Sequence, residues 1–170
     1  TMASTATAVA GTLDASRMVV ADSTGRMCRV YPDSFGYLFP IGDATQIAAE
    51  DPYQYSPADV AMGNVTDETG CVNLRNARHP NFPDYIVSYV NRYWTLSRPG
   101  VTPLSGASGN FYYDQGDVVG TEDLVEGMKF SAGAWTIGYG VDWFTNNRIT
   151  FTDLTEFSDF TAGDRYPTAV

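Results

Sequence analysis

The chain has 170 residues and a formal net charge of −10 at pH 7, from 20 Asp and Glu against 10 Lys and Arg. This length is sufficient for one domain with its own hydrophobic core. The negative charge disfavours nucleic acids and anionic membranes as partners, because both attract clusters of Lys and Arg. No apolar stretch approaches the roughly 20 residues that cross a bilayer, so the sequence predicts no membrane span.

Residues 1–11 carry no charge and consist almost wholly of Ala, Thr, Ser and Val. Small side chains alternate there with period two, in the order Thr5, Ala6, Thr7, Ala8, Val9, Ala10. Such a pattern is typical of a strand, and an uncharged strand can add itself to the open sheet edge of another subunit. We therefore expect Thr5–Ala10 to join copies of the chain by strand addition; the alternative is a flexible N-terminal segment.

The next elements are short strands separated by turn residues. Met18–Ala21 and Met27–Tyr31 flank Asp22–Gly25, whose Asp and Gly positions fit a tight turn, so a hairpin is predicted. Tyr37–Gly42 is expected to be a short strand that its Pro40 confines to an edge or an end.

Residues 43–84 are the least regular part of the chain. Within them, Asp59–Val65 and Cys71–Leu74 are predicted to pair with each other. Cys28 and Cys71 are the only cysteines. A disulfide between them would stabilise the folded state by about 4 kcal/mol in the chain-entropy model. The alternative is two buried thiols in a cytosolic protein. The composition favours the disulfide and an extracellular location.

The strongest strand signal is Tyr85–Leu96, which is rich in β-branched and aromatic residues. One face would carry Ile86, Val90, Trp94 and Leu96, and the other Val87, Tyr89, Tyr93 and Thr95. A strand that is apolar on one face and aromatic-polar on the other belongs at the centre of an antiparallel sandwich.

The last third of the chain continues the same pattern. Asn110–Tyr113 is predicted to be a strand, and Thr121–Glu126 a short helical turn with acids in its first turn. Met128–Phe130 and Ala134–Ile137 should form a hairpin, followed by the strand Arg148–Phe151.

These elements together predict an all-β fold, an antiparallel β-sandwich of Ig-like or jelly-roll-like type with ten or more short strands and at most one short helix. Residues 12–164 would form the sandwich, residues 1–11 the donor segment, and residues 165–170 a C-terminal tail.

The sequence contains no recognisable set of catalytic residues, so no enzyme activity is predicted. The single histidine, His79, precedes Pro80 and is most simply a turn element. No cofactor is expected; Ca²⁺ is retained only as a secondary candidate at the closely spaced acids Asp114, Asp117 and Glu122, beside the alternative of a solvated acidic loop.

Two aromatic residues are candidates for ligand binding. Trp143 and Phe144 follow Asp142 at a predicted loop, where a flat ring could stack on a sugar. The other tryptophans fall at strand positions, where a core role is the default.

Several phrases occur in a recognisable order: Tyr37–Asp43, Tyr55–Val60, His79–Asn81, Val90–Leu96, Phe111–Asp114, Thr121–Leu124, Trp135 and Ile149–Phe160. Over residues 12–164 the chain resembles a β-sandwich module of large secreted, cell-surface proteins of Bacteroidetes-type bacteria, many of them cargo of the type IX secretion route. The resemblance implies a structural or adhesive role and brings no catalytic residues with it.

The function predicted from the sequence is therefore that of an extracellular or cell-surface structural protein, a filament or layer subunit whose partners are copies of itself. The alternative is a carbohydrate-binding module of a secreted protein, with polysaccharide as its partner.

Overall fold

A computed structural model of the chain describes residues 12–33, 35–44, 54–98, 104–142 and 145–164. Within these ranges the chain forms fifteen β-strands and two three-residue 3₁₀ turns, with no α-helix. None of the helical segments described could therefore reach across a bilayer. The prediction of an all-β fold is confirmed.

Most of the strands are short. In the first half of the chain they are β1 Val19–Val20, β2 Met27–Tyr31, β3 Gly36–Phe39, β4 Ile41–Asp43, β5 Gln54–Tyr55, β6 Ala58–Ala61 and β7 Glu68–Arg75. In the second half they are β8 Tyr89–Val90, β9 Tyr93–Ser97, β10 Ala107–Tyr112, β11 Val118–Val119, β12 Val125–Ser131, β13 Ala134–Asp142, β14 Arg148–Leu154 and β15 Asp159–Asp164. The 3₁₀ turns Gln115–Asp117 and Glu122–Leu124 stand on either side of β11. The second of them is the predicted helical turn, and the first was not predicted.

Ten strands form one continuous path in the order β2-β7-β9-β15-β12-β13-β14-β10-β6-β3, and β8 joins it through β15 and carries β11. The path folds over at β13, which pairs with β12 along its first part and with β14 along Gly140–Asp142. Gly138 has a φ of +106° there, opposite a register shift between Gly127 and Met128. A glycine at positive φ and a bulge allow a strand to bend sharply, so β13 can serve both layers.

The core lies between the two layers and is built from aromatic rings. Phe111 of β10 lies 5.3 Å from Trp94 of β9 and 5.2 Å from Phe160 of β15, measured between ring centroids. All three side chains are fully buried, and the indole Nε1 of Trp94 donates a hydrogen bond to the Ser56 carbonyl at 3.1 Å. These contacts across the layers define the sandwich.

Strands β2 and β3, the two ends of the path, face each other, and we call the space between them the seam. The Tyr31 hydroxyl of β2 donates a hydrogen bond of 3.0 Å to the Val60 carbonyl of β6, beside β3. The guanidinium of Arg29 lies over the Tyr37 ring, with its Cζ 3.9 Å from the centroid. Side chains therefore close the seam, although no backbone pairing between β2 and β3 does so.

A small second sheet has the order β1-β4-β5. The predicted hairpin of Met18–Ala21 with Met27–Tyr31 is wrong: β1 pairs in parallel with β4, and β2 pairs with β7. The turn itself exists, since the Gly25 N–H donates to the Asp22 carbonyl at 2.7 Å. The turn residues reverse the chain, but each flank finds its partner far away in the sequence.

The predicted strand Tyr85–Leu96 is interrupted. Only Tyr89–Val90 and Tyr93–Ser97 are strands, and the chain leaves the sheet at Asn91 and Arg92. The Asn91 N–H donates to the Asp117 carbonyl at 2.7 Å, and the side chain of Arg92 enters a buried ionic cluster. The predicted apolar face is buried nonetheless, and it comprises Ile86, Val90, Trp94 and Leu96.

The predicted pairing of Asp59–Val65 with Cys71–Leu74 is also wrong. Strand β6 pairs with β3 and β10, whereas β7 pairs with β2 and β9. The predicted hairpin of Met128–Phe130 with Ala134–Ile137 is correct and corresponds to β12 and β13.

Candidate functional site

The residues predicted to act in assembly, Thr5–Ala10, lie outside the described residues, as do the candidate ligand residues Trp143 and Phe144. These predictions remain untested by the fold. The predicted disulfide is present: Cys28 of β2 is bonded to Cys71 of β7, and the two are direct partners in the antiparallel register.

The three acids considered for Ca²⁺ have separate local roles. Asp114 caps the first 3₁₀ turn by accepting the Gly116 N–H at 2.8 Å. Glu122 accepts hydrogen bonds from the Tyr113 hydroxyl at 2.8 Å and from the Gln115 amide at 2.9 Å. Across the residues that the structure describes, no three His, Cys, Asp or Glu side chains are grouped so that they could hold a metal ion.

The third acid, Asp117, belongs to a buried ionic cluster centred on Arg92. Its carboxylate accepts the Arg92 Nε–H at 2.7 Å and an Nη2–H at 3.1 Å, which is a bidentate pair. The other guanidinium contacts are to Asp43 at the end of β4 and Gln54 at the start of β5. We call these four residues the Arg92 cluster; their exposed fractions are between 0% and 5%.

The Arg92 cluster holds elements together and has no access for a substrate. Arg92 lies between β8 and β9, so its guanidinium links the small sheet and the 3₁₀ turn before β11 to the sandwich. Burial raises the pKa of Asp117, and this outweighs the opposing effect of the Arg92 charge. Two buried carboxylates thus contact one guanidinium, whose positive charge offsets part of the cost of burying them.

His79 is fully packed as well. Its Nδ1 accepts the Asn81 N–H at 3.2 Å, which places the ring proton on Nε2, and Nε2 donates to Asp159 at 3.2 Å. The rings of Trp135 and Tyr93 lie 4.7 and 4.8 Å from the imidazole. A general base needs a nitrogen within reach of the proton that it abstracts. Both ring nitrogens of His79 are hydrogen-bonded within the protein, and the residue is 1% exposed, so neither nitrogen can reach a substrate.

Asp159 is held in place by the same contacts. Burial acts to raise its pKa, but the hydrogen bonds from His79 and from the Thr95 hydroxyl, the latter at 2.6 Å, outweigh burial and hold the pKa below its usual value. The ionised carboxylate thus fixes the loop that carries His79 to β9 and β15.

An open edge remains at β3. The Phe35 carbonyl accepts the Met62 N–H at 3.3 Å, so the odd-numbered residues of β3 direct their backbone groups to β6. In an antiparallel pair the alternate residues point the opposite way. The N–H and C=O groups of Gly36 and Leu38 therefore point outward, and within the described ranges no strand pairs with them.

We call the space beside the outward-pointing backbone groups of β3 and β4 the outer lane; β1 fills the part of it beside β4. The Pro40 carbonyl, which is next in this alternation, accepts the Val19 N–H at 2.7 Å. Strand β1 thus occupies the lane beside β4, and the chain before it turns at Asp14–Arg17, where the Arg17 N–H donates to the Asp14 carbonyl at 2.9 Å. Alongside β3 the lane holds no described strand.

The residues of β3 do not protect this edge against pairing with another strand. Its sequence from Gly36 to Phe39 has no charge, and the Leu38 side chain is 37% exposed. Edge strands are usually protected by charges, bulges or proline, and here the nearest such device is Pro40 beyond the end of the strand.

Sequence reasoning found some of these features and missed others. The proline in Tyr37–Gly42 correctly indicated the end of a strand, but the single predicted strand is wrong, because Pro40 divides it into β3 and β4, which lie in different sheets. The Arg92 cluster was missed, although a charged residue in the middle of an apolar strand was a signal, since a buried charge needs partners. Its partners, Asp43, Gln54 and Asp117, are distant in sequence and carry no pattern that singles them out.

No protein-family model matches the chain, and neither a curated protein nor a solved structure matches it.

Proposed function

We propose that the chain is an extracellular structural protein, a subunit that assembles with copies of itself by donating Thr5–Ala10 as an additional β-strand to a neighbour. The observation that carries the proposal is the uncharged open edge at β3 on a chain with a net charge of −10. Acidic copies repel each other, so contact between them is favoured where both surfaces are uncharged. Residues 1–11 and the four residues of β3 contain no charged side chain.

Three further points support this proposal. A disulfide persists in oxidising compartments and is rare in the cytosol, so the Cys28–Cys71 bond fits an extracellular location. The buried charged side chains of Arg92, Asp43 and Asp117 pair with one another and hold strands together. The resemblance to surface modules of Bacteroidetes-type bacteria points in the same direction.

The test is deletion of residues 1–11. We expect the full chain to form concentration-dependent oligomers or filaments, measured by size-exclusion chromatography with light scattering and by negative-stain microscopy. The deletion variant should remain monomeric with an unchanged melting temperature, because the segment would act between copies.

A charge variant provides a matched control. Val9→Asp places a carboxylate in the donor segment and should abolish assembly, whereas Thr24→Asp adds the same charge at an exposed turn and should not. Unchanged assembly after the deletion would refute the proposal.

A further inference from the structure

We propose that the acceptor for the donor strand is the outer edge of β3, in the lane that β1 begins, and that the donor comes from a second copy of the chain. This inference rests on the proposed function and adds the location of the partner site. The backbone groups of Gly36 and Leu38 that point outward supply the hydrogen-bonding positions of that site.

The dimensions of the two segments agree. At about 3.3 Å per residue, the four residues of β3 extend for about 13 Å and the six residues of Thr5–Ala10 for about 20 Å. A donor strand can therefore cover the whole of β3 and still reach its flanks. Backbone hydrogen bonds would provide the affinity, and the alternate side chains the specificity.

The side chains on either side of the lane also suit a donor with small residues. On the inner face, the seam is already filled by Arg29 over the Tyr37 ring and by Tyr31 near Phe39, with the latter two ring centroids 6.5 Å apart. Alanine at alternate donor positions adds little volume there. On the outer face, Leu38 is exposed and offers an apolar contact to Thr or Val.

The other free edges among the described strands are less suited. Strands β1, β5 and β11 have two residues each. Strand β2 is the other end of the main path and is long enough, but it carries Arg29 and follows Arg26 directly. Strand β3 is the longest of these edges that has no charged residue.

The source of the donor is tested by cross-linking of the full chain. Val9→Cys and Leu38→Cys are prepared as separate proteins and mixed under mild oxidation; the native cysteines are already paired with each other. We expect a covalent dimer that contains one chain of each kind. Replacing Leu38→Cys by Ile137→Cys, at a side chain that is 42% exposed on β13 away from the edge, should remove it.

Two outcomes would overturn the inference. If the double variant Val9→Cys/Leu38→Cys forms a cross-linked monomer and the mixture forms no dimer, the segment occupies the edge of its own chain. If Val9→Cys cross-links to a Val30→Cys partner on β2 and fails to do so with Leu38→Cys, the acceptor is the other end of the path.

Edge-blocking variants give an independent readout. Leu38→Pro removes an N–H that points outward and leaves the pairing with β6 intact, and Leu38→Glu adds a charge at the edge. Both should abolish oligomers, while Ile137→Glu should not; the melting temperature of each variant shows whether the monomer is folded. If deletion of residues 1–11 abolishes assembly and both Leu38 variants preserve it, the donor proposal stands and the acceptor inference fails.

Discussion

At the scale of single residues, a substitution in the Arg92 cluster is expected to lower the stability strongly. Arg92, Asp43 and Asp117 are buried together, and each carboxylate lies in direct contact with the guanidinium. Removing one partner of a buried pair leaves an uncompensated charge away from water, which costs far more than the pair itself contributes.

Arg92→Met is therefore expected to lower the free energy of unfolding by about 3–5 kcal/mol, measured by urea denaturation. Methionine retains much of the apolar volume, so the loss reports mainly on the missing charge and hydrogen bonds. Arg148→Met is the matched control, because Arg148 is about one-third exposed and its pair with Asp142 spans 3.4 Å.

The control pair should contribute less than about 1 kcal/mol, as exposed ion pairs do. A similar loss for the two variants would show that burial does not distinguish the sites. Adding Asp117→Asn to Arg92→Met should recover part of the lost stability, since one of the two carboxylates that paired with Arg92 is then replaced by a neutral amide.

At the scale of elements, the disulfide stabilises a pairing that the hydrogen bonds of β2 and β7 already define. The bonded residues are 43 positions apart, so the main effect of the bond is to restrict the unfolded chain. The β2 strand is an end of the main path with one neighbour, and without the bond only hydrogen bonds and side-chain packing hold it there.

The double variant Cys28→Ala/Cys71→Ala should be less stable by up to about 4 kcal/mol, the value that chain entropy gives for a loop of this length. Urea denaturation with and without a reductant measures this. The native chain should lose stability on reduction, and the variant should be insensitive to it. Equal stability of the native and variant chains under oxidising conditions would contradict the expectation.

The same elements show how far the sequence determines local structure. The period-two burial of Ile86, Val90, Trp94 and Leu96 was predicted correctly, because it depends only on side-chain character. The break at Arg92 was not, because it arises from contacts with Asp43 and Asp117, which are 49 and 25 residues away. Likewise the Asp22–Gly25 turn was predicted, whereas the partners of its flanking strands were not.

At the scale of the whole molecule, the fold class followed from the sequence and the sheet order did not. Short β-rich segments between turns already exclude a helical fold. The strand order depends on which apolar faces bury together, as Phe111 does against Trp94 and Phe160. Many pairings satisfy the same alternation, so a single sequence does not select one.

The net charge of −10 gives a last prediction about the whole particle. Copies of the chain repel each other, and the repulsion is screened over a Debye length of about 30 Å at 0.01 M salt and about 10 Å at 0.1 M. The two strands that would pair, Thr5–Ala10 and β3, contain no charged residue. Added salt should therefore weaken the repulsion and leave the contact itself unaffected.

We expect the apparent dissociation constant of the assembly to fall as salt is raised from about 0.01 M to about 0.15 M, the range over which surface repulsion is progressively screened. Sedimentation velocity over a concentration series measures it, and Leu38→Glu, which should stay monomeric at every salt concentration, is the control. If copies were instead joined by ion pairs between Arg and Asp or Glu, the same salt increase would dissociate them. Weaker association at higher salt would therefore exclude an uncharged interface and the strand addition proposed for it.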